Sequence, residues 1–239
     1  VSAEGALMFA RYAYPPNALG YCGPAGAEAM LRGDATADIA RRARRFEGAW
    51  SYLEFLASTA GTPDPLDERV VEAYWVGGDL LAGVSSESLV SFLTTRFAGQ
   101  SGGTWQSATD RALPHHTFQV FEVYPWAGLL ATTGHPQALS VLDQCRIRTG
   151  VVTAVSGETA TVESRPLLAG PAGGLVPGAP HRETVRWSVE GWSLLPGLSA
   201  GDRVALHWNW VCDIITPDQA ARIETLEARY HSSLRTPSA

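Results

Sequence analysis

The amino-acid sequence predicts an α+β protein: a mostly helical N-terminal part followed by a small β-barrel and a C-terminal helix. Three observations predict it. Apolar residues recur at spacings of three and four before about residue 112, valine-rich alternation sets in after Cys145, and a Thr-Pro pair opens an amphipathic stretch at Thr216. These changes of texture divide the chain into a helical domain over 1–112, a connector over 113–142 whose structure the periodicity leaves open, and a barrel with its terminal helix over 143–239.

Residues 24–32 open on a proline and continue in good helix formers. A longer helix is expected over 35–58, where Ile39, Ala43, Phe46, Trp50, Leu53 and Leu56 share one face and Arg41, Arg42, Arg44 and Arg45 the wet side. A short helix follows "GTPDPLDE", capped by Asp64 or Asp67. Another follows Ser85 or Ser86, with Glu87 in its first turn, and the glycines of "GQSGG" end it. Residues 117–124, "TFQVFEVY", alternate well enough to predict a strand, whereas "WAGLLAT" and "HPQALSVLDQC" fit helix or strand.

From Cys145 onward, "CRIRTGVVTAVSGETATVES" reads as two strands about a Ser156-Gly157 turn. "RETVRWSVEG" and "GDRVALHWNWVCDII" supply further strands, with a Gly- and Pro-rich surface loop over about 167–181. The final helix takes Thr216 as cap and Pro217 as its first residue, with Ile223, Leu226 and Tyr230 on its apolar side.

The chain has 239 residues, 45% of them hydrophobic, and a formal charge of -6. All 18 basic residues are arginine. The acidic balance argues against nucleic acid as the main partner, and the absence of lysine excludes Schiff-base chemistry and a Walker-type phosphate loop. No apolar run is long enough to cross a bilayer and no secretory leader is evident, so the expected location is the cytoplasm, away from membranes. Three cysteines, Cys22, Cys145 and Cys212, make no extracellular disulfide framework and suit a reducing compartment.

Those cysteines and a few histidines are the candidates for chemistry. Cys22 lies in "YPPNALGYCGPAG", just before an expected helix start, where a thiol can have a lowered pKa; Tyr14 and Tyr21 flank it. His115 and His116 precede the expected strand, and in extended chain only one of them can face a given site. Glu122 is a candidate base, Cys212 a secondary ligand and Asp213 a surface group. Zinc signatures, GxSxG and dinucleotide loops are absent from the sequence.

Two separated stretches, "CRIRTGVV" with Cys145 five residues before Gly150, and "GDRVALHW" ending at His207 before an acidic helix, carry a resemblance. Over roughly residues 143–232 the chain resembles the HypC/HupF hydrogenase maturation chaperones, and its opening resembles uncharacterised actinobacterial proteins. The resemblance implies an OB-like, HypC-like barrel. It also implies a metallocentre-assembly role in which Cys145 and His207 bind iron carrying cyanide and carbonyl, with the hydrogenase large-subunit precursor and other maturation proteins as partners. A thiolate and an imidazole suit such low-spin iron and leave positions open for release. On that reading the protein is a chaperone and not an enzyme. Thr149 in place of the usual proline, an internal rather than N-terminal cysteine and a long 167–181 loop depart from the family pattern. The alternatives are a cysteine-dependent enzyme with Cys22 as nucleophile and His115, His116 or His207 as base, or an interaction factor with structural cysteines.

Overall fold

The computed structural model of the chain describes residues 1–32, 36–100, 102–170 and 174–231. Ser2 starts the first helix, α1 (Ala3–Ala18), its hydroxyl accepting from the Gly5 N–H. Phe9, Tyr12 and Ala13 bury one face of α1. Gly5 allows the helix to lie directly on neighbouring backbone, since a Cβ there would sit 2.0 Å from the Leu66 carbonyl oxygen. Pro15 and Pro16 fall inside the last turns of α1. Neither has an N–H, so the carbonyls of Arg11 and Tyr12 lose their helical donors.

The helical part continues through α2 (Glu28–Leu31), α3 (Thr36–Ala43), α4 (Glu47–Ala60), α5 (Glu68–Trp75) and α6 (Ser86–Arg96). Asp67 caps α5 and Ser85 caps α6. Two expected helices are shorter than predicted. The segment 24–32 is helical only as α2, and the segment 35–58 breaks at residues 44–46 into α3 and α4, Ala35 lying outside the described residues. The break follows from Phe46, which leaves helical geometry (φ -91°, ψ 74°) to bury its ring edge-on against Phe9, 5.3 Å between centroids. Its other neighbour is Gly23, where a Cβ would meet the Phe46 ring at 2.4 Å and φ is +80°.

The connector is helical throughout its regular parts: α7 (His116–Phe118), a π-helical turn (Gln119–Val123), α8 (Trp126–Thr133) and α9 (Pro136–Cys145). The strand expected over 117–124 is therefore corrected. Residues 116–123 are buried on every side, and a segment with no wet face carries no usable period.

Seven strands follow. β1 (Arg148–Ser156), β2 (Thr159–Ser164), β5 (His181–Arg186), β7 (Trp210–Ile214) and β6 (Arg203–His207) pair in that spatial order, and β6 returns to β1. The β5–β7 link is a single parallel pair, Arg186 with Trp210. The β1–β2 turn is Gly157 and Glu158, one residue later than expected. β3 (Leu167–Ala169) and β4 (Leu175–Pro177) form a separate two-stranded sheet where a plain loop was expected, residues 171–173 of that loop lying outside the described part.

The strands have two apolar faces, and this corrects the expectation of a self-contained HypC-like, OB-like unit standing behind the helices. Val204, Leu206 and Val211 pack inward with Val152, Val162 and Val185, whereas their sequence neighbours Ala205, Trp210 and Cys212 belong to the same core as Phe9, Tyr74 and Leu142. The result is a mixed α+β fold with a helical N-terminal region, a five-stranded and a two-stranded sheet, and one main core shared between helices and sheet. Among the described residues no helix is long and apolar enough to cross a membrane.

The last helix, α10 (Pro217–Ala228), starts on a full capping box between Thr216 and Gln219. It is tied to the end of α9 by a buried ion pair, Arg146 Nη1 donating to both Glu227 oxygens at 2.9 and 2.7 Å. Burial pushes the Glu227 carboxyl up, but His231 and Arg146 outweigh it and hold the group below its ordinary value. A carboxyl lowered on folding contributes stability above its unfolded pKa, and that contribution is lost as pH falls through the folded value. Glu227→Gln should therefore cost about 3 kcal/mol at neutral pH by leaving Arg146 half-paired. In urea titrations the wild-type and variant stabilities should converge as the medium is made acidic; parallel pH profiles would disprove the assignment.

Candidate metal centre

Three elements bring their ends to one point. His116 opens α7, Cys145 closes α9 and His207 closes β6. One ligating atom from each lies within 4.8 Å of the other two, and all three residues are buried. A metal with bonds of about 2.0–2.3 Å holds tetrahedral ligand atoms roughly 3.5 Å apart, so small side-chain adjustments suffice to close the set. This buried His/Cys/His cluster is suited to metal coordination.

Helix-end chemistry builds the cluster. The last carbonyls of α9 have no helical donors, and residues of the site supply them: Trp208 N–H donates to the Gln144 oxygen at 2.7 Å, and His116 Nε2–H to the Cys145 oxygen at 2.8 Å. His116 Nδ1 then keeps its lone pair, facing the Tyr74 hydroxyl at 3.3 Å. On the other side, the Tyr12 carbonyl that Pro16 leaves without a helical donor accepts the His207 Nδ1–H at 2.7 Å. His207 Nε2 is buried and has no hydrogen-bond partner among the described residues. Backbone carbonyls thus select both tautomers, as they do around metal-bound histidines.

Electrostatics keep the donors uncharged. Burial lowers the His116 imidazole to about 4, against the opposing pull of the Cys145 carbonyl. Burial, with His116 next to it, holds His207 well below the usual histidine range. Burial raises the Cys145 thiol. The strand reading that began at Cys145 places that residue too early in the sheet. Cys145 lies instead in the last turn of α9, 8% exposed, on the same buried face as Val141 and Leu142.

Above the cluster opens a cavity of about 340 Å³ whose lining includes Tyr21, Cys22, Phe46, Tyr74, Trp75, Tyr124, Trp126 and Trp208, with His116, Cys145 and His207. Tyr21 stacks on Trp208 at 4.0 Å beside Cys22. Trp208 holds φ +55°, a left-handed conformation that costs a bulky residue roughly 1–3 kcal/mol. Its neighbours hold it there: Gln144 takes its N–H, and Arg148 Nη2 donates to its carbonyl at 2.8 Å. Asn17 Nδ2 donates to the carbonyls of Cys22 (2.7 Å) and Pro24 (2.8 Å), fixing the loop that carries Cys22.

Cys22 shares the cavity but is not one of the three clustered donors. Burial pushes its thiol up to about 12, the reverse of the lowered value expected from a helix start, because the next helix begins only at Glu28. His115 is buried next to His116, yet its Nδ1 accepts the Thr117 N–H and its ring stays outside the cluster. Glu122 is held by Arg111 at 2.7 Å and by the Thr104 hydroxyl, away from the cavity. Cys212 is buried in the core, and Asp213 pairs with Arg11 at 3.0 Å. Tyr14 packs against Trp210 and lines no part of the cavity. Of the aromatic walls sequence reasoning singled out only Tyr21, and it missed the joining of His116 to Cys145 and His207. The double proline was a sequence signal for the setting of His207, since it frees the Tyr12 carbonyl that His207 meets; His116 carried no such signal.

No curated protein matches the chain, and no solved structure matches it. The expected kinship with hydrogenase maturation chaperones is corrected by the family model that matches, which runs across the helical and sheet parts alike; the iron–cyanide–carbonyl cargo and hydrogenase partners inferred from that kinship lose their basis with it. With residues 1–236 matched, the chain belongs to DUF6390, a family of unknown function.

Proposed function

We propose that the protein holds a single transition-metal ion on His116, Cys145 and His207, with the remaining coordination direction facing the aromatic cavity. The observation that carries this reading is the convergence of three buried donors from three separate elements, two of them with tautomers selected by backbone carbonyls. Three protein ligands with an adjoining cavity match a centre that binds a further molecule; purely structural zinc sites are closed by four. The soft thiolate and neutral imidazoles suit zinc and ferrous iron alike. Free thiols fit a reducing compartment such as the cytoplasm.

A cysteine-dependent enzyme using Cys22 is the second reading, favoured by Cys22 and His116 lining one cavity. A thiol buried to a pKa of about 12 is a poor resting nucleophile, which weighs against it.

Elemental analysis of the purified chain should find about one zinc or iron per molecule, with Cys145→Ala and His207→Ala reduced to background while their far-ultraviolet circular dichroism is unchanged. Cobalt substitution should add a thiolate-to-metal charge-transfer band that Cys145→Ala lacks. Full metal content in both variants, with no such band in the wild type, would disprove the reading. Pro16→Ala tests the supporting contact: it returns an N–H to Tyr12, competes with His207 for the carbonyl, and should weaken metal affinity by about 10- to 100-fold without unfolding the protein. Unaltered affinity would show that the Tyr12 contact does not orient the ligand.

A further inference from the structure

The cavity above the cluster has a second polar edge that the metal reading does not use. Phe46 and residues 47–49 in the first turn of the 14-residue helix α4 line it, and among the described residues no side chain caps that helix start. The first N–H groups of a helix carry partial positive charge and need acceptors. Arg45 stands at the same mouth, exposed and in none of the ion pairs of the described residues. Glu47, also exposed there, opposes these charges. His207 also lines it, its Nε2 without a hydrogen-bond partner among the described residues and its side chain only 1% exposed. Between the two polar ends the walls are aromatic rings, and the volume of about 340 Å³ is at the small end of small-molecule sites.

From this arrangement we infer that the cavity binds a small aromatic carboxylate, its anionic group at the start of α4 beside Arg45 and its ring among Phe46, Trp126 and Trp208. The inference rests on the metal reading for the floor of the cavity and on α4 for its anion end. An apolar molecule without charge would leave the uncapped helix turn unanswered, and a bare inorganic anion would leave the aromatic walls unfilled. A cation would face Arg45 and the positive helix end. The class that satisfies all parts is a flat ring bearing one carboxylate.

The test uses the full chain, metal-loaded and after chelation, titrated with benzoate, benzyl alcohol and inorganic phosphate, and read by quenching of the cavity tryptophans and by calorimetry. Benzoate should bind one per chain and at least tenfold more tightly than benzyl alcohol or phosphate. Arg45→Ala should remove most of that preference while leaving benzyl alcohol unchanged, and Glu47→Gln should tighten benzoate. Phosphate binding as tightly as benzoate, equal affinity for benzyl alcohol, or no benzoate binding to metal-loaded protein would overturn the inference, the last leaving the metal reading intact. Arg45-dependent benzoate binding that survives chelation would support the inference even where the chain takes up no metal.

Discussion

The geometry of the site depends on one carbonyl. A helix that runs through Pro16 leaves the Tyr12 oxygen without its usual donor, inside a core where an unmet acceptor is costly. His207 answers it from the end of β6, at 2.7 Å. That bond joins α1 to the sheet, selects which imidazole nitrogen carries the proton, and leaves Nε2 turned to the other donors. Losing it would orphan the carbonyl and release the ring at once, so the prolines of α1 and the ligand set are one structural feature.

The same economy recurs at the end of α9. Its last two carbonyls are answered by Trp208 and His116, so ending the helix at Cys145 also places a ring on one side of the thiol and the β6–β7 turn on the other. Arg148 completes the arrangement from behind: it donates to the Trp208 carbonyl while its charge is neutralised by Glu183 at 2.7 Å. A tryptophan held at φ +55° would relax if these contacts were loose. Its stack on Tyr21 carries the constraint outward to the loop that bears Cys22.

Much of the local structure was legible in the sequence because its signals are local. Thr216, Pro217 and the spacing of Ile223 and Tyr230 define α10, and alternation along "RVALH" puts His207 on the face opposite Val204 and Leu206. Cys145 and His207 could be singled out together, but their buried setting and third partner could not. His116 sits in a stretch buried on all sides, where periodicity fails and a helix was read as a strand. The break before α4 escaped notice for a similar reason: Phe46 fits the helical period, and only the presence of Phe9 and Gly23 across the core shows why it turns out of the helix. The resemblance to small chaperones rested on short stretches that any valine-rich strand followed by an acidic helix can share.

The cluster and its supporting contacts draw on distant parts of the chain. Its donors lie at 116, 145 and 207, the carbonyl that orients one of them at 12, and the helix start facing the cavity at 46–49. No contiguous piece shorter than residues 12–207 contains this set. The sheet alone would keep His207 but lose Tyr12, and the helical part alone would keep His116 and Tyr12 but lose the imidazole they surround. A core shared between the two parts holds these distances only when both are present. The cluster is therefore a product of both parts of the chain together, and the family match likewise runs through both, over residues 1–236.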